Sequence, residues 1–499
     1  MEISFNHRTL TGYRELPCPV RRIQVTAESV VPDTDEDVGS IVSVQPMLLL
    51  KSKDVTPYGV TVSGEFSAAL LCVTEGESRV SCVRMKREFS MDFALEGLSN
   101  ETLAQIRLSV GSTEARVLNP RKLGLTAELV GELSCYRQEE LPVETELPEA
   151  AAGLLHCREE KTAFSSIDAV CEKSFAFNEQ FRFPEGKGEP TELLCQTLRF
   201  EAEEVQQVGS RAVVKGSVYL ELCCAVRGES CPAVFRFSAP FSQLVDSGAE
   251  RCDSAAVRIE TTSAYFDLVD TISGEKAVDT ELHAVLQLVS FSERELKLIT
   301  DAYSNRCPTE GSFESLALLR VSPPQRLRLT AEEALPIAED CAEILSVLPS
   351  LPPLIQSAAG LGGAVNLDIL YRSTSGALAA VHRTLPLEEE SCPASAVLCG
   401  ARLAQQELRP EGNTLRCRLG VEAQLQRRET VELRELAAVS LEEEKPFDRE
   451  RFASVTLVRD PTEPLWNLAR RYHSSVGAIE AANRAREETG SRVLLIPKE

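Results

Sequence analysis

Three related segments of this chain end in prolines that are evenly spaced. Pro32, Pro184 and Pro336 lie 152 residues apart in each case. The first and third segments read VTAESVVP and LTAEEALP up to their prolines, and the second reads NEQFRFP. A repeat of this length indicates that one structural unit occurs several times along the 499 residues, and no other feature constrains the fold as strongly.

Each copy then contains a glycine that precedes an alternation of apolar and polar residues. The glycines are Gly64, Gly216 and Gly363. The apolar residues that follow at every second position are Phe66, Ala68, Leu70, Val218, Leu220, Leu222, Val365, Leu367 and Ile369. Such an alternation predicts a β-strand with one buried face. The preceding glycine predicts a bulge or a close approach of two backbones.

A third match and a closing segment complete each copy. Residues 89–93 read FSMDF, residues 237–241 read FSAPF, and the third copy has Leu-Pro-Leu at 385–387. The closing segments cover residues 123–134, 278–289 and 415–425. They alternate over a longer stretch, which predicts antiparallel sheet with one solvent-exposed face.

These matches predict a multidomain, mainly β protein in which three copies of one antiparallel β-rich domain follow one another. The copies are assigned to residues 20–140, 172–300 and 324–435. Segments rich in proline, glycine or charge between and after the copies are interpreted as linkers. These linkers cover residues 141–152, 305–322 and 442–451.

Composition argues against several classes of function. The net charge of −23 disfavours general nucleic-acid binding and charge-driven docking on an anionic membrane. No run of 18 apolar residues occurs, so no membrane-spanning helix is predicted. The N-terminal residues lack the apolar core of a signal peptide, so secretion is not expected.

The sequence lacks recognisable motifs for catalysis, metal binding or cofactor binding. The 16 cysteines form no C-x-x-C pair, so they are interpreted as small apolar core residues in a reducing compartment. Adjacent Cys223 and Cys224 are predicted to point to opposite faces of a strand. An acidic run at 33–37 lacks the glycine and glutamate of a calcium loop and is predicted to be a solvated turn. We predict no catalytic residue, no metal and no cofactor, and hence a protein that is not an enzyme.

The last fifty residues have a different pattern and are assigned to a separate domain at 452–499. A short strand at 454–458 precedes two segments with helical spacing, and a closing strand follows at 492–497. This order predicts a small βααβ domain. The residues predicted to face its core are Leu465, Leu468, Ala469, Tyr472, Val476, Ile479 and Ala482.

This segment resembles a LysM module. The matches are Leu465-Trp466-Asn467-Leu468-Ala469 in the first helix, Val476, Ile479 and Asn483 in the second, and Leu494-Leu495-Ile496-Pro497 at the end. The family's Gly-Asp-Thr turn helps to line a groove for glycans that contain N-acetylglucosamine, and Thr462-Glu463-Pro464 stands in its place here. The resemblance assigns the ligand or partner groove to Thr462, Glu463, Pro464, Leu465, Trp466, Asn483 and Arg484.

Trp466 is the sole tryptophan, and two roles are open for it. A domain of about 45 residues must use its large apolar side chains for its own core, and this favours a packing role. A contact with a ligand or a partner is the alternative, because tryptophan is enriched among the residues that dominate binding energy.

The repeats resemble SPOCS domains. The resemblance rests on the opening at residues 31–44, on the strand at 60–72 and on Asn119-Pro120-Arg121-Lys122-Leu123 in the first copy. SPOCS domains followed by a C-terminal LysM module are the arrangement of spore-coat morphogenetic proteins of clostridia and their relatives. The resemblance implies a non-enzymatic adaptor in the mother-cell cytoplasm, at the forespore surface. Its implied partners are the morphogenetic ATPase of the coat's basement layer and other coat proteins.

A second function stays open. The LysM resemblance also fits a protein that binds peptidoglycan of the cell wall or of the spore cortex. The replaced Gly-Asp-Thr turn makes docking to a protein at least as good an interpretation of this module as glycan binding.

Overall fold

The computed structural model describes residues 2–32, 36–75, 80–99, 101–229, 231–272, 274–356, 360–442, 454–459, 462–487 and 493–498. Within these residues the protein is mainly β, with several antiparallel sheets and two short α-helices. The prediction of a mainly β protein is therefore confirmed. The acidic run at 33–37 lies partly outside the described residues, since the description omits 33–35.

The strands divide into three sets and a C-terminal group. The first set comprises β1 (Glu2–Ser4), β2 (Asn6–Leu16), β3 (Val20–Val30), β4 (Val38–Thr56), β5 (Gly59–Thr74), β6 (Val80–Ala94), β7 (Leu103–Asn119) and β8 (Lys122–Glu146). The second set, after a 3-10 turn at Glu149–Ala151, comprises β9 (His156–Arg182), β10 (Pro190–Val208), β11 (Arg211–Val226), β12 (Ala233–Asp246), β13 (Ser254–Asp270) and β14 (Lys276–Tyr303).

The remaining elements follow in the same manner. The third set comprises β15 (Thr309–Val321), β16 (Gln325–Pro336), β17 (Cys341–Ser350), β18 (Ile355–Gln356), β19 (Leu361–Ser373), β20 (Leu378–Glu390), β21 (Ala396–Glu411) and β22 (Thr414–Leu441). The C-terminal module comprises β23 (Val455–Arg459), α1 (Leu465–Arg471), α2 (Val476–Glu487) and β24 (Val493–Pro497).

The strands of the three sets pair in the same order. One antiparallel sheet in each set is a meander, formed by β4-β5-β6, by β10-β11-β12 and by β17-β19-β20. The other sheet places a long strand between two partners, in the orders β3-β8-β7, β9-β14-β13 and β16-β22-β21. The inner faces of the two sheets enclose a separate hydrophobic core in each set.

Two glycines of the repeat lie where the backbone of one neighbouring strand and a phenylalanine of the other leave no room for a side chain. Gly64 pairs with Phe89, and Gly216 pairs with Phe241. A Cβ atom added at Gly64 would lie 2.5 Å from the Phe89 ring, and one added at Gly216 would lie 2.8 Å from the Phe241 ring. The neighbouring strands bulge opposite both glycines, between Leu50 and Ser52 and at the equivalent point of β10. The predicted bulge and close approach are confirmed at these two glycines.

The alternating residues of β5, β11 and β19 face the cores as predicted. Phe66, Val218 and Leu367 are each at most 1% exposed, and the other six residues of the alternation are buried too. Each alternating face belongs to its own core, which explains why the pattern recurs after every glycine. The predicted buried strand face is therefore confirmed in all three sets.

Two predicted linkers are wrong. The first half of residues 141–152 belongs to β8, which continues to Glu146, and residues 305–322 contain the whole of β15. The strands β8, β14 and β22 extend beyond the three cores and form two-stranded ribbons with β2, with the first half of β9 and with β15. Proline and glycine misled the prediction because both occur within these ribbons, as in the pairing of Thr9 with Pro142.

The three ribbons pack together, and we call them the stem. Apolar side chains from all three ribbons, among them Val143, Phe164 and Leu318, form shared clusters along it. A hydrogen bond of 2.9 Å from the Val321 amide to Ser165 Oγ joins the second and third ribbons. The stem also includes β1, which pairs with the end of β22.

The faces of the three meander sheets that point away from the cores meet at a junction. Leu71 of β5, Cys223 of β11 and Leu370 of β19 contribute to one buried cluster there. The next residue, Cys224, lies in the core of the second set, so the prediction of opposite faces for the two cysteines is confirmed. The expectation of one solvent-exposed face on the closing segments is wrong in part, because parts of β8 and β14 are buried on both sides.

Candidate functional site

The C-terminal module has a small interior of its own. Leu468 and Ala469 of α1, Ile479 of α2 and Ile496 of β24 are at most 3% exposed and pack together. Leu465, Tyr472 and Val476 pack against them as expected. Ala482 is exposed, contrary to the prediction. The next residue takes its place, because Asn483 lies four residues after Ile479 and thus on the same helical face.

Asn483 of the predicted groove is buried and makes hydrogen bonds within the module. Its amide nitrogen donates to the carbonyl oxygens of Ile479 and Leu495, each at 2.6 Å. Its oxygen accepts a hydrogen bond of 2.8 Å from the Leu495 amide. Asn483 therefore ties α2 to β24 from a buried position, and its side-chain polar groups are used within the module.

Three further residues of the predicted groove, two in the turn before α1 and one in α2, are exposed to solvent. Thr462, Pro464 and Arg484 are exposed. Glu463 forms an ion pair of 3.0 Å with Arg471, so its carboxylate is partly neutralised by the module itself. The exposed residues leave this side of the module accessible.

Trp466 faces the body of the protein. Its Nε1 donates a hydrogen bond of 2.7 Å to Oδ2 of Asp301, which lies near the end of β14. Arg470, four residues after Trp466 on α1, places Nη1 3.2 and 3.3 Å from the two oxygens of the same carboxylate. A carboxylate held by an indole N–H and a guanidinium receives charge-assisted hydrogen bonds, which are stronger than neutral ones.

Tyr303 completes the contact between module and body. It is 1% exposed, and its ring packs edge-on against Trp466 with 4.8 Å between the ring centroids. Its hydroxyl donates a hydrogen bond of 2.9 Å to the carbonyl oxygen of Ser474, in the turn between α1 and α2. The side chain also belongs to the buried cluster of the module, so the body supplies part of the module's interior.

The residues of this contact on the body were not predicted from sequence. Asp301 is separated from Trp466 by 165 positions, and no local pattern links them. Asp301 and Tyr303 lie at the edge of the domain assigned to 172–300, in a stretch with no motif. The helical spacing of α1 places Arg470 on its exposed side. Its contact with Asp301 is therefore visible only in the folded structure.

The opening at residues 31–44 and the motif at residues 119–123 meet at one end of the core of the first set. Arg121 places Nη1 2.9 Å from Asp37 Oδ1 and Nη2 3.0 Å from the carbonyl oxygen of Pro32. The amides of Val31 and Val38 donate to the backbone oxygens of Arg121 and Pro120. This ion pair and the backbone hydrogen bonds hold Pro32 and Asp37 against the start of β8, which gives Arg121 a structural role.

A polar network crosses the junction between the first and third sets. Ser43 Oγ donates to Asp368 Oδ2 at 2.6 Å, and the other Asp368 oxygen lies 2.8 Å from His382 Nδ1. His382 Nε2 lies 3.1 Å from the carbonyl oxygen of Ile41. Hydrogen bonding to Asp368 raises the pKa of His382, and both ring nitrogens have acceptors. The carboxylate lies between serine and histidine, which is not the order of a nucleophile relay.

The cysteines are all unlinked and at least partly buried. All 16 cysteines are free thiols, none is exposed, and burial raises the pKa of Cys72 and of Cys224 to about 12. Across the part of the chain that the structure describes, no group of three or more His, Cys, Asp or Glu residues could hold a metal ion. In the same residues, no helix is long and apolar enough to span a membrane.

Comparison of the chain with protein-family models, with curated proteins and with solved structures found no match.

Proposed function

We propose that the protein is a non-enzymatic adaptor in spore-coat assembly, built from three SPOCS-like domains and a C-terminal LysM-like docking module. The observation that carries the proposal is the strand order, which recurs three times and is followed by a β-α-α-β module. This arrangement is the one that the sequence resemblances imply. The motifs on which the SPOCS resemblance rests also lie together in the first set.

The proposed partners are the morphogenetic ATPase of the coat's basement layer and other coat proteins, at the forespore surface in the mother-cell cytoplasm. Three sets with the same strand order would offer three related surfaces to such partners. Several weak contacts made by one chain reinforce one another, because each bound contact raises the effective concentration of the next.

Deletion of residues 454–499 tests this proposal. The truncated chain is expected to keep its three cores but to lose its accumulation around the forespore, which fluorescence microscopy of a tagged protein measures. Deletion also uncovers Tyr303, so the matched control is the full chain with Tyr303→Phe, which keeps the module. Normal localisation of a folded truncated protein would reject the docking role.

Peptidoglycan binding by the LysM-like module is the second candidate, and one observation favours it. Thr462, Pro464 and Arg484 are exposed, so this part of the predicted groove is not used by the body. Sedimentation of the full chain with purified peptidoglycan tests this candidate, with Arg484→Ala as the variant and Ala482→Ser as the control on the same helix. Binding that Arg484→Ala weakens would favour the glycan function over the adaptor function.

A further inference from the structure

The end of β14 meets the module in the manner of a bound peptide. Successive side chains of a strand point to opposite sides, so Asp301 and Tyr303 face the module while Ala302 points away. Ala302 is 4% exposed and packs in the stem. One face of an extended three-residue segment therefore makes both specific contacts with α1 and with the turn after it.

The carboxylate contact is built from two donors on one helix turn. Trp466 and Arg470 are four residues apart on α1, and this spacing brings their side chains to the same face. Both contact Asp301, whose side chain is 29% exposed. A planar guanidinium next to an indole N–H recognises a carboxylate by geometry as well as by charge.

The aromatic contact lies directly beside it. The other side of Trp466 packs edge-on against the Tyr303 ring, and the hydroxyl of Tyr303 reaches the carbonyl oxygen of Ser474. Ring packing favours an aromatic residue at this position, and the carbonyl acceptor favours tyrosine over phenylalanine. The two contacts together specify a carboxylate and a tyrosine separated by one residue.

We propose that this face of the module, formed by Trp466, Arg470 and the Ser474 carbonyl, recognises an extended segment of a protein partner that carries a carboxylate two residues before a tyrosine. Asp301 and Tyr303 are the occupant of this site within the chain. The inference rests on the proposed function, because it names the chemistry by which the docking module selects its partner.

Charge favours an acidic partner segment. Residues 452–499 contain seven Arg or Lys and six Asp or Glu, whereas the chain as a whole has a net charge of −23. The module is thus nearly neutral within a strongly acidic protein. It repels an acidic segment less than the rest of the surface does, and Arg470 attracts such a segment locally.

Because Asp301 and Tyr303 of the same chain occupy the proposed site, a partner segment is expected to compete with them for it. A partner segment must displace Asp301 and Tyr303, so its apparent affinity is reduced by the fraction of molecules in which the site is open. Weakening the internal contact raises that fraction and tightens binding of the external segment without changing the site itself.

A peptide titration of the full chain tests the proposal. The probe is a synthetic nonapeptide with the sequence of residues 298–306, and the signal is the fluorescence of Trp466, the sole tryptophan. We expect saturable binding to Asp301→Asn with an apparent Kd about tenfold lower than that of the unmodified chain, because the internal competitor has lost its charge. The same peptide with asparagine in place of aspartate is expected to bind at least about tenfold more weakly.

Two further variants control for indirect effects. Asp267→Asn removes an exposed carboxylate from β13 and is expected to bind the peptide as the unmodified chain does. Arg470→Gln combined with Asp301→Asn is expected to lose the tight binding. If Asp301→Asn does not fold, the unmodified chain gives the same test at higher peptide concentration.

Absence of saturable binding, or equal binding of the aspartate and asparagine peptides, would overturn the inference. Loss of forespore localisation on deletion of the module, without peptide binding, would reject only this mode of recognition. Peptide binding together with normal localisation of the truncated protein would instead reject the adaptor function.

Discussion

The three sets of strands and the C-terminal module differ in how they obtain a hydrophobic interior. The first set alone encloses more than twenty buried residues, and each of the three cores is complete within its own set. The module supplies four fully buried apolar residues, and Tyr303 of β14 is the fifth member of its cluster. Small domains bury a smaller fraction of their surface, which explains why the module uses a residue from the body.

This difference indicates where stability and binding specificity reside. In the sets, stability comes mainly from apolar area removed from water, at about 25 cal/mol per Å². In the module, a larger share comes from a few directed contacts with Asp301 and Tyr303. Contacts of that kind depend on particular side chains, whereas a core depends on buried apolar area.

The largest expected effect comes from truncation inside a set. Phe66→Ala removes a side chain that is 1% exposed in the core of the first set, and it should lower the free energy of unfolding by about 3 to 5 kcal/mol. Chemical denaturation followed by circular dichroism measures this loss. The conservative control Phe66→Leu should cost less, because it leaves a smaller cavity.

Trp466 fluorescence tests whether the two regions are separate. The denaturation midpoint that it reports should move less in Phe66→Ala than the midpoint of the circular dichroism signal, because Phe66 does not contact the module. Equal shifts of the two midpoints would show that body and module unfold as one cooperative unit, and the comparison drawn above would fail.

A smaller effect is expected at the contact between the regions. Tyr303→Phe keeps the ring against Trp466 but removes the hydrogen bond to the Ser474 carbonyl, and this should cost about 1 kcal/mol. The loss should appear in the transition reported by Trp466. A loss confined to the circular dichroism transition would contradict the assignment of Tyr303 to the module's interior.

The smallest expected effect is a dependence on pH at the junction. The folded state raises the pKa of His382 above the ordinary value of 6.5, mainly by hydrogen bonding to Asp368, while burial and, to a smaller extent, neighbouring Arg383 oppose the shift. The stabilisation is therefore fully present below about pH 6.5 and is lost as the pH rises through the raised pKa.

The substitution His382→Gln tests this pH dependence. It should flatten the pH profile of unfolding in that window, with the variant closest in stability to the unmodified chain at the alkaline end. A profile that keeps its slope in the variant would show that another group is responsible. His283 pairs with Glu281 on an exposed part of β14, so His283→Gln is a matched control.

The sequence was informative wherever one face of a strand or helix packs within its own set. The alternation around Leu367 and the helical spacing of Leu468 and Ile479 predicted buried residues that are buried. It was uninformative where packing joins distant segments. The burial of Leu370 at the junction depends on the two other sets, and local hydrophobic periodicity does not record such neighbours.

The sequence was likewise informative about some residues of the candidate site and uninformative about others. Trp466 was singled out as the sole tryptophan, and the predicted packing role is confirmed because it packs against the buried cluster of the module. Its hydrogen bond to Asp301 lies within the chain, so contact with a ligand or a partner stays a prediction. Asn483 matched the motif, but its place in the sequence could not tell a groove residue from a buried tie between α2 and β24. Asp301 could not be found at all, because a single carboxylate in a strand carries no signature.

The pairing of β1 with β22 has a consequence for synthesis. Ile3 lies opposite Val439, so β1 finds its partner only after the residues between them have been made. At about 5 to 20 residues per second, β1 waits for about 20 to 90 seconds. During that time Ile3 of β1 and the adjacent Phe5 are available to chaperones or to neighbouring chains. Closure of the stem is thus a late event in the life of each molecule, and translation speed sets its timing.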